Sequence, residues 1–191
     1  MSSFFSVKSK AGFTLIELMV AIGVIAILSV IALPSLNNFM VKMRVDNEIT
    51  EMHRLLLTAR NMAINTGKNT TVCPLSNGQC TSNWQNEISV FTNNSNNIAT
   101  NSSFAAPDKL VKTKAAIKSG DKLQFTNASV IYAPSGRLLI PTVSLTFRYC
   151  PKNNADESRG IDLSISGRSY LSSDTDNDGK DEDRSGSEIS C

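Results

Sequence analysis

The sequence predicts an α+β fold: one long N-terminal helix, first apolar and then amphipathic, packed on an antiparallel β-sheet head. Three observations predict it. Residues 18–33 carry no charge, and only Gly23 and Ser29 interrupt their apolar run. Residues 35–65 then keep apolar side chains at three- and four-residue spacings with charges between them, the pattern of an amphipathic helix. From residue 70 onward short β-type runs alternate with Asn, Ser, Gly and Pro, as in half-buried antiparallel strands joined by turns.

The first element is the apolar N-terminal run. Counted from Phe13, residues 13–33 would extend about 30 Å as a helix, enough to cross a bilayer. Lys8 and Lys10 precede the run, so the positive-inside rule places the N-terminus in the cytoplasm and the remainder outside. A cleaved secretory signal would end at small residues, and Ala32-Leu33-Pro34 matches that poorly. A plain anchor leaves Glu17 unexplained, because an ionised carboxylate inside a membrane segment costs roughly 2.5–3.5 kcal/mol or more. Pro34 is expected to kink or break the helix.

Lys10-Ala11-Gly12-Phe13-Thr14-Leu15-Ile16-Glu17 resembles the type III signal of type IV pilins and type II secretion pseudopilins. The resemblance implies that residues 1–12 are a leader removed by a prepilin peptidase between Gly12 and Phe13. It implies N-methylation of Phe13, and it places Glu17 at the fifth position after the cut. Residues 13–34 then form the transmembrane and assembly helix, and residues 35–191 form a periplasmic head. The chemistry suits these residues. Gly12 lets the backbone enter a peptidase site without a side chain. The new α-amino group of Phe13 is a positive charge in a poor dielectric, which Glu17 of another subunit would neutralise, fixing register more than adding stability.

The second element is the helix beyond Pro34. Leu36, Phe39, Met43, Ile49, Met52, Leu56, Ala59 and Ala63 fall at helical spacings, and Thr66-Gly67 is a stop signal. His53 has no second His or nearby Cys as a co-ligand and reads as a surface or boundary residue. The third element, the head, has candidate strands at 70–73, 87–92, 122–125, 129–132, 137–140, 144–149, 160–166 and 169–171. Residues 92–106, rich in Asn, Ser and Thr, read as a long exposed loop.

The head resembles one branch of the family, the GspH/FimT/FimU type of minor pilins and pseudopilins. Residues 57–64, Thr71-Val72-Cys73-Pro74, Asn83-Trp84, Phe147-Arg148-Tyr149-Cys150 and Arg159-Gly160-Ile161 carry that resemblance. It implies a non-catalytic subunit that helps initiate or cap a pilus. The implied partners are other minor and major pilins, the prepilin peptidase and the inner-membrane assembly platform. A type II secretion pseudopilin is the alternative. A DNA-uptake subunit of FimT type is a further one, but the Gly-Arg-x-Arg segment of those relatives reads Gly167-Arg168-Ser169-Tyr170 here, without the second Arg.

Composition agrees with a structural role. In 191 residues, 41% are hydrophobic and 19% charged, which excludes a disordered chain. The net charge of +2 excludes a generally cationic nucleic-acid binder. There is no phosphate loop, Gly-x-Ser-x-Gly, HExxH or His-supported nucleophile, so catalysis is not expected. Lys109, Lys112, Lys114, Lys118 and Lys122 read as a solvated basic loop face.

Four cysteines in an oxidising compartment imply disulfides. Cys73 with Cys80 would close a short loop and leave Cys150 with Cys191, a pairing favoured over the two others. No cofactor is required, although the acidic loop 174–183 has the D-x-D-x-D-G core of a calcium loop. Asp174, Asp176 and Asp178 would give side-chain oxygens, Lys180 its carbonyl, and Glu182 a further carboxylate. The twelfth loop position is Ser185 rather than the Glu of an EF-hand. The competing reading is a solvated acidic tail.

Overall fold

The computed structural model describes residues 12–94 and 102–191, the side chains of 31–34 excepted. It forms two compact units, Met1–Met40 and Val41–Cys191. Helix α1, Leu15–Thr66, contributes to both. In the first unit its apolar side chains are exposed, from Leu15 at 76% to Val30 at 74%. Ser29 Oγ donates to the Ile25 carbonyl at 2.7 Å, so this polar side chain is satisfied within the helix itself. The kink expected at Pro34 falls on residues whose side chains lie outside the described set. Among the described residues no single helix is long and apolar enough to cross a membrane; Leu15–Val30 and Ser35–Thr66 pass only as a pair.

Among the described residues of the second unit, α1 carries ten strands. They are β1 Thr70–Ser76, β2 Gln79–Cys80, β3 Ile88–Thr92, β4 Lys109–Lys114, β5 Lys122–Gln124, β6 Val130–Tyr132, β7 Leu138–Ile140, β8 Leu145–Cys150, β9 Arg159–Leu163 and β10 Ser169–Leu171. They make two antiparallel sheets rather than one. The first has the order β4-β3-β1-β6-β7, with β2 on β1; the second runs β10-β9-β8-β5. Thr70 opposite Thr92 and Leu145 opposite Leu163 set the central registers.

The helix buries Val41, Val45, Ile49, Met52, Leu55, Leu56, Ala59 and Ala63. The core face therefore starts at Val41 and Val45, and the expected Leu36, Phe39 and Met43 are exposed. The reason is helical phase: Met43 lies two residues from both valines, about 200° around the axis. Opposite this face, Trp84 meets Phe125 and Phe147 edge-on at 5.5 and 4.9 Å, and those two rings stack at 3.8 Å. The indole N–H donates to the Asn127 carbonyl at 2.8 Å, so the fully buried ring leaves no polar atom unsatisfied.

Lys109–Lys114 corrects the loop expectation. It forms edge strand β4, whose mostly exposed lysines discourage pairing with another sheet edge. Lys114 is not solvated: its side chain is 2% exposed, and Nζ pairs with Glu48 and lies 3.7 Å from Glu51, both on α1. Thr92 and Asn93 are buried at the start of the segment expected as an open loop, and residues 95–101 lie outside the described set.

Candidate functional site

Three places carry the residues singled out by sequence. The first is the helix start. Phe13 is 87% exposed. Thr14 Oγ1 accepts from the Glu17 backbone N–H at 3.3 Å, and Glu17 Oε2 accepts from the Thr14 N–H at 3.5 Å. This is a reciprocal capping box, which satisfies two backbone donors that a helix start otherwise leaves unpaired. Glu17 therefore has a role inside its own chain that the charge argument overlooked. The signal was present: Thr14-Leu15-Ile16-Glu17 has the T-x-x-E spacing.

The second place is the junction of helix, sheets and tail. Asp121 is almost fully buried, at 1% side-chain exposure. It accepts from Arg44 Nε at 2.9 Å, the Tyr149 hydroxyl at 2.6 Å and the Lys152 N–H at 2.9 Å. Burial opposes its ionisation, but these donors prevail and hold the carboxyl below its ordinary range. Burial, then Asp121 itself, pushes the Tyr149 phenol upward. Arg159 reaches Asp181 in the tail at 3.3 Å, Glu157 at 3.5 Å and Asp46 on α1 at 3.8 Å. Sequence reading missed this network, because Arg44 and Asp121 are 77 positions apart.

Two glycines of the late head permit close approaches. A Cβ on Gly167, at φ +78°, would stand 1.9 Å from the Gly136 carbonyl oxygen. A Cβ on Gly160 would stand 2.6 Å from Ile189 Cδ1, so this glycine admits the tail onto β9. Beside Gly167, Arg168 holds the half-buried Tyr170 phenol below its ordinary range, and the Arg184 guanidinium lies 4.0 Å over the same ring. The fold thus brings Arg184 to the place where the second Arg was missing. Asp162 and Asp183 line the same cleft.

The third place is the tail. Both expected disulfides are present, Cys73–Cys80 and Cys150–Cys191, with Cα separations of 5.5 and 6.2 Å. Between β10 and Cys191 the chain is ordered by isolated bridges pairing Ser173 with Glu182 and Glu182 with Glu188. Asp181 accepts from Ser172 Oγ at 2.6 Å. Asp183 feels some burial, but the Ser185 hydroxyl and the Ser187 and Ser185 N–H groups outweigh it and hold the carboxyl low. Asp174, Asp176, Asp178 and Glu182 each bring a carboxylate oxygen to within 4.8 Å of the others. The Lys180 ammonium pairs with Glu188, at 3.1 Å.

A family model described as Type II transport protein GspH matches residues 48–167. The chain belongs to the GspH family. The prokaryotic N-terminal methylation motif matches residues 7–33, around Gly12, Phe13 and Glu17. The crystal structure of the type IV minor pilin FimU from Pseudomonas aeruginosa strain PAO1 superposes with a TM-score of 0.53 at 19% identity, covering 71% of this chain and 92% of FimU. That likeness establishes the pilin-like fold. The minor pseudopilin EpsH from the type 2 secretion system of Vibrio cholerae matches at a TM-score of 0.45 and 14% identity, over 67% of this chain and 95% of EpsH. Family and motif together put the chain in the pilin and pseudopilin class, whose members are structural subunits and not enzymes. Its family and motif imply membrane anchoring and assembly with other pilins.

Proposed function

We propose that this chain is a minor pilin of a type IV pilus, held by its N-terminal helix in the inner membrane with its head in the periplasm, and that it helps initiate or cap the filament. The methylation motif carries this reading, because it coincides with an exposed Phe13 and a helix that begins two residues later. Cleavage between Gly12 and Phe13 would create an ammonium beside a helix start, and Glu17 of a neighbouring subunit would supply the opposite charge. A tail pinned at both ends suits a subunit displayed outside the cell. The peptidase, the major and minor pilins and the assembly platform are its proposed partners.

The family description favours a second reading, a GspH-type pseudopilin of type II secretion. DNA uptake has less support, since Asp162 and Asp183 stand beside Arg184 and would repel phosphate. Intact-mass measurement of membrane-extracted protein should show loss of residues 1–12 and gain of one methyl. A mature N-terminus beyond Pro34 would defeat the pilin reading. Deleting the gene should abolish surface piliation; loss of protein secretion with normal piliation would select the pseudopilin instead.

A further inference from the structure

We infer that the tail loop is a calcium site, built by Asp174, Asp176, Asp178 and Glu182. The decisive residue is Glu182. Unlike the three aspartates, which are exposed, it is 5% exposed. Its Oε2 accepts from the Thr175 N–H at 2.7 Å and from Thr175 Oγ1 at 2.6 Å. Its other oxygen, Oε1, is buried and has no hydrogen-bond partner. A buried carboxylate oxygen without a donor is costly, and a fold retains one where a partner of another kind serves it.

The surroundings specify a cation. Four carboxylates each place an oxygen within 4.8 Å of the others. The Lys180 ammonium is paired with Glu188, at 3.1 Å. A single water could donate to Oε1, but it would leave the mutual repulsion of the carboxylates in place. A divalent ion satisfies both. Oxygens on opposite sides of a shared Ca²⁺ lie about 4.6–5.2 Å apart, a span this cluster accommodates. An all-carboxylate set on a loop suits Ca²⁺ better than Mg²⁺, which demands near-ideal octahedral geometry and keeps its waters.

The backbone is arranged for the same end. Asn177 at φ +65° and Gly179 at φ +93° turn the chain so that alternate residues 174, 176 and 178 converge. Glu182, at the ninth position counted from Asp174, closes the set from a different segment. It is fixed by its bridges to Ser173 and Glu188, and the chain end is fixed by Cys150–Cys191. The ion would therefore clip a turn of the tail onto a short rigid ladder. This inference stands whether the filament is a pilus or a secretion pseudopilus.

The test uses the full chain in detergent, stripped with a chelator and titrated with Ca²⁺ by calorimetry, with Tm followed in parallel. One saturable site per chain is expected, with a dissociation constant of about 10⁻⁵–10⁻³ M and a rise in Tm. Glu182→Gln and Asp176→Asn should each weaken binding about tenfold or more, and Mg²⁺ should bind at least about tenfold more weakly than Ca²⁺. Asp183→Asn makes the same charge change outside the cluster and should leave affinity unchanged. Absence of saturable heat with an unmoved Tm at 10 mM Ca²⁺ (about ten times the weakest expected dissociation constant) would overturn the site. So would equal weakening by Asp183→Asn, which would signify diffuse screening of an acidic tail. If Glu182→Gln fails to fold, the exposed Asp176→Asn decides alone.

Discussion

Leu18 and Leu55 lie on the same helix, yet the first is 58% exposed and the second fully buried. The difference separates the two units. In the N-terminal unit the apolar side chains find no partners within the described chain. In the head, side chains of the same kind close a core with Trp84, Phe125 and Phe147. An apolar surface of that extent calls for another apolar phase, whether lipid or the helices of neighbouring subunits. The head is satisfied within itself, and so the two regions should respond oppositely to the same kind of substitution.

The largest contrast is expected at Trp84. Trp84→Ala removes a fully buried ring and should destabilise the head by about 3–5 kcal/mol, read by denaturant titration. Next, Cys191→Ser opens the loop between Cys150 and the chain end, a sequence separation of 41, and should cost about 4 kcal/mol. Thiol titration of denatured, non-reduced wild type should find no free thiol.

Asp121→Asn should cost about 2–3 kcal/mol, since it leaves Arg44 without its buried partner. Here pH sharpens the comparison. The folded-state pKa of Asp121 is depressed below 3.8, so its contribution is present above that value and lost as pH falls through the folded value. The gap between wild type and Asp121→Asn should therefore close below about pH 4.

The smallest effect on stability is expected in the N-terminal unit. Ile25→Ala should change head stability by less than about 0.5 kcal/mol, because Ile25 is 63% exposed. Its consequence should appear in assembly instead. Glu17 divides the two roles found for it. Glu17→Gln preserves the capping box with Thr14 and removes the charge, whereas Glu17→Ala removes both. If charge pairing with Phe13 of another subunit governs assembly, both variants are processed and both lose piliation. Normal piliation in Glu17→Gln alone would assign Glu17 to the cap.

Much of the fold was legible because local periodicity carries it. Helix α1 ends within one residue of the expected stop, and all eight expected strands are present, seven with shifted ends and 169–171 unshifted. Strand β4 was illegible for a physical reason. Lys109-Leu110-Val111-Lys112-Thr113-Lys114 has the polarity of a loop, and it becomes a strand only by pairing with β3 from Ile88 to Thr92. The phase of the helix face at its start was likewise hidden, since Met43 is as apolar as Val41 and Val45.

Sequence alone determined the apolar helix, the Gly12-Phe13 junction, the position of Glu17, the strand-rich head and the preferred cysteine pairing. Each depends on neighbours along the chain or on a small set of cysteines. Only the tertiary structure decided that Lys114 is buried between acids of α1, that Asp121 joins Arg44 to Tyr149, and that Glu182 leaves one oxygen without a donor. Those states follow from burial and from partners distant in sequence, which composition and spacing do not encode. The same acidic tail that reads as solvent-facing by composition becomes an ordered loop once Ile189 packs against Gly160 and Cys191 bonds to Cys150.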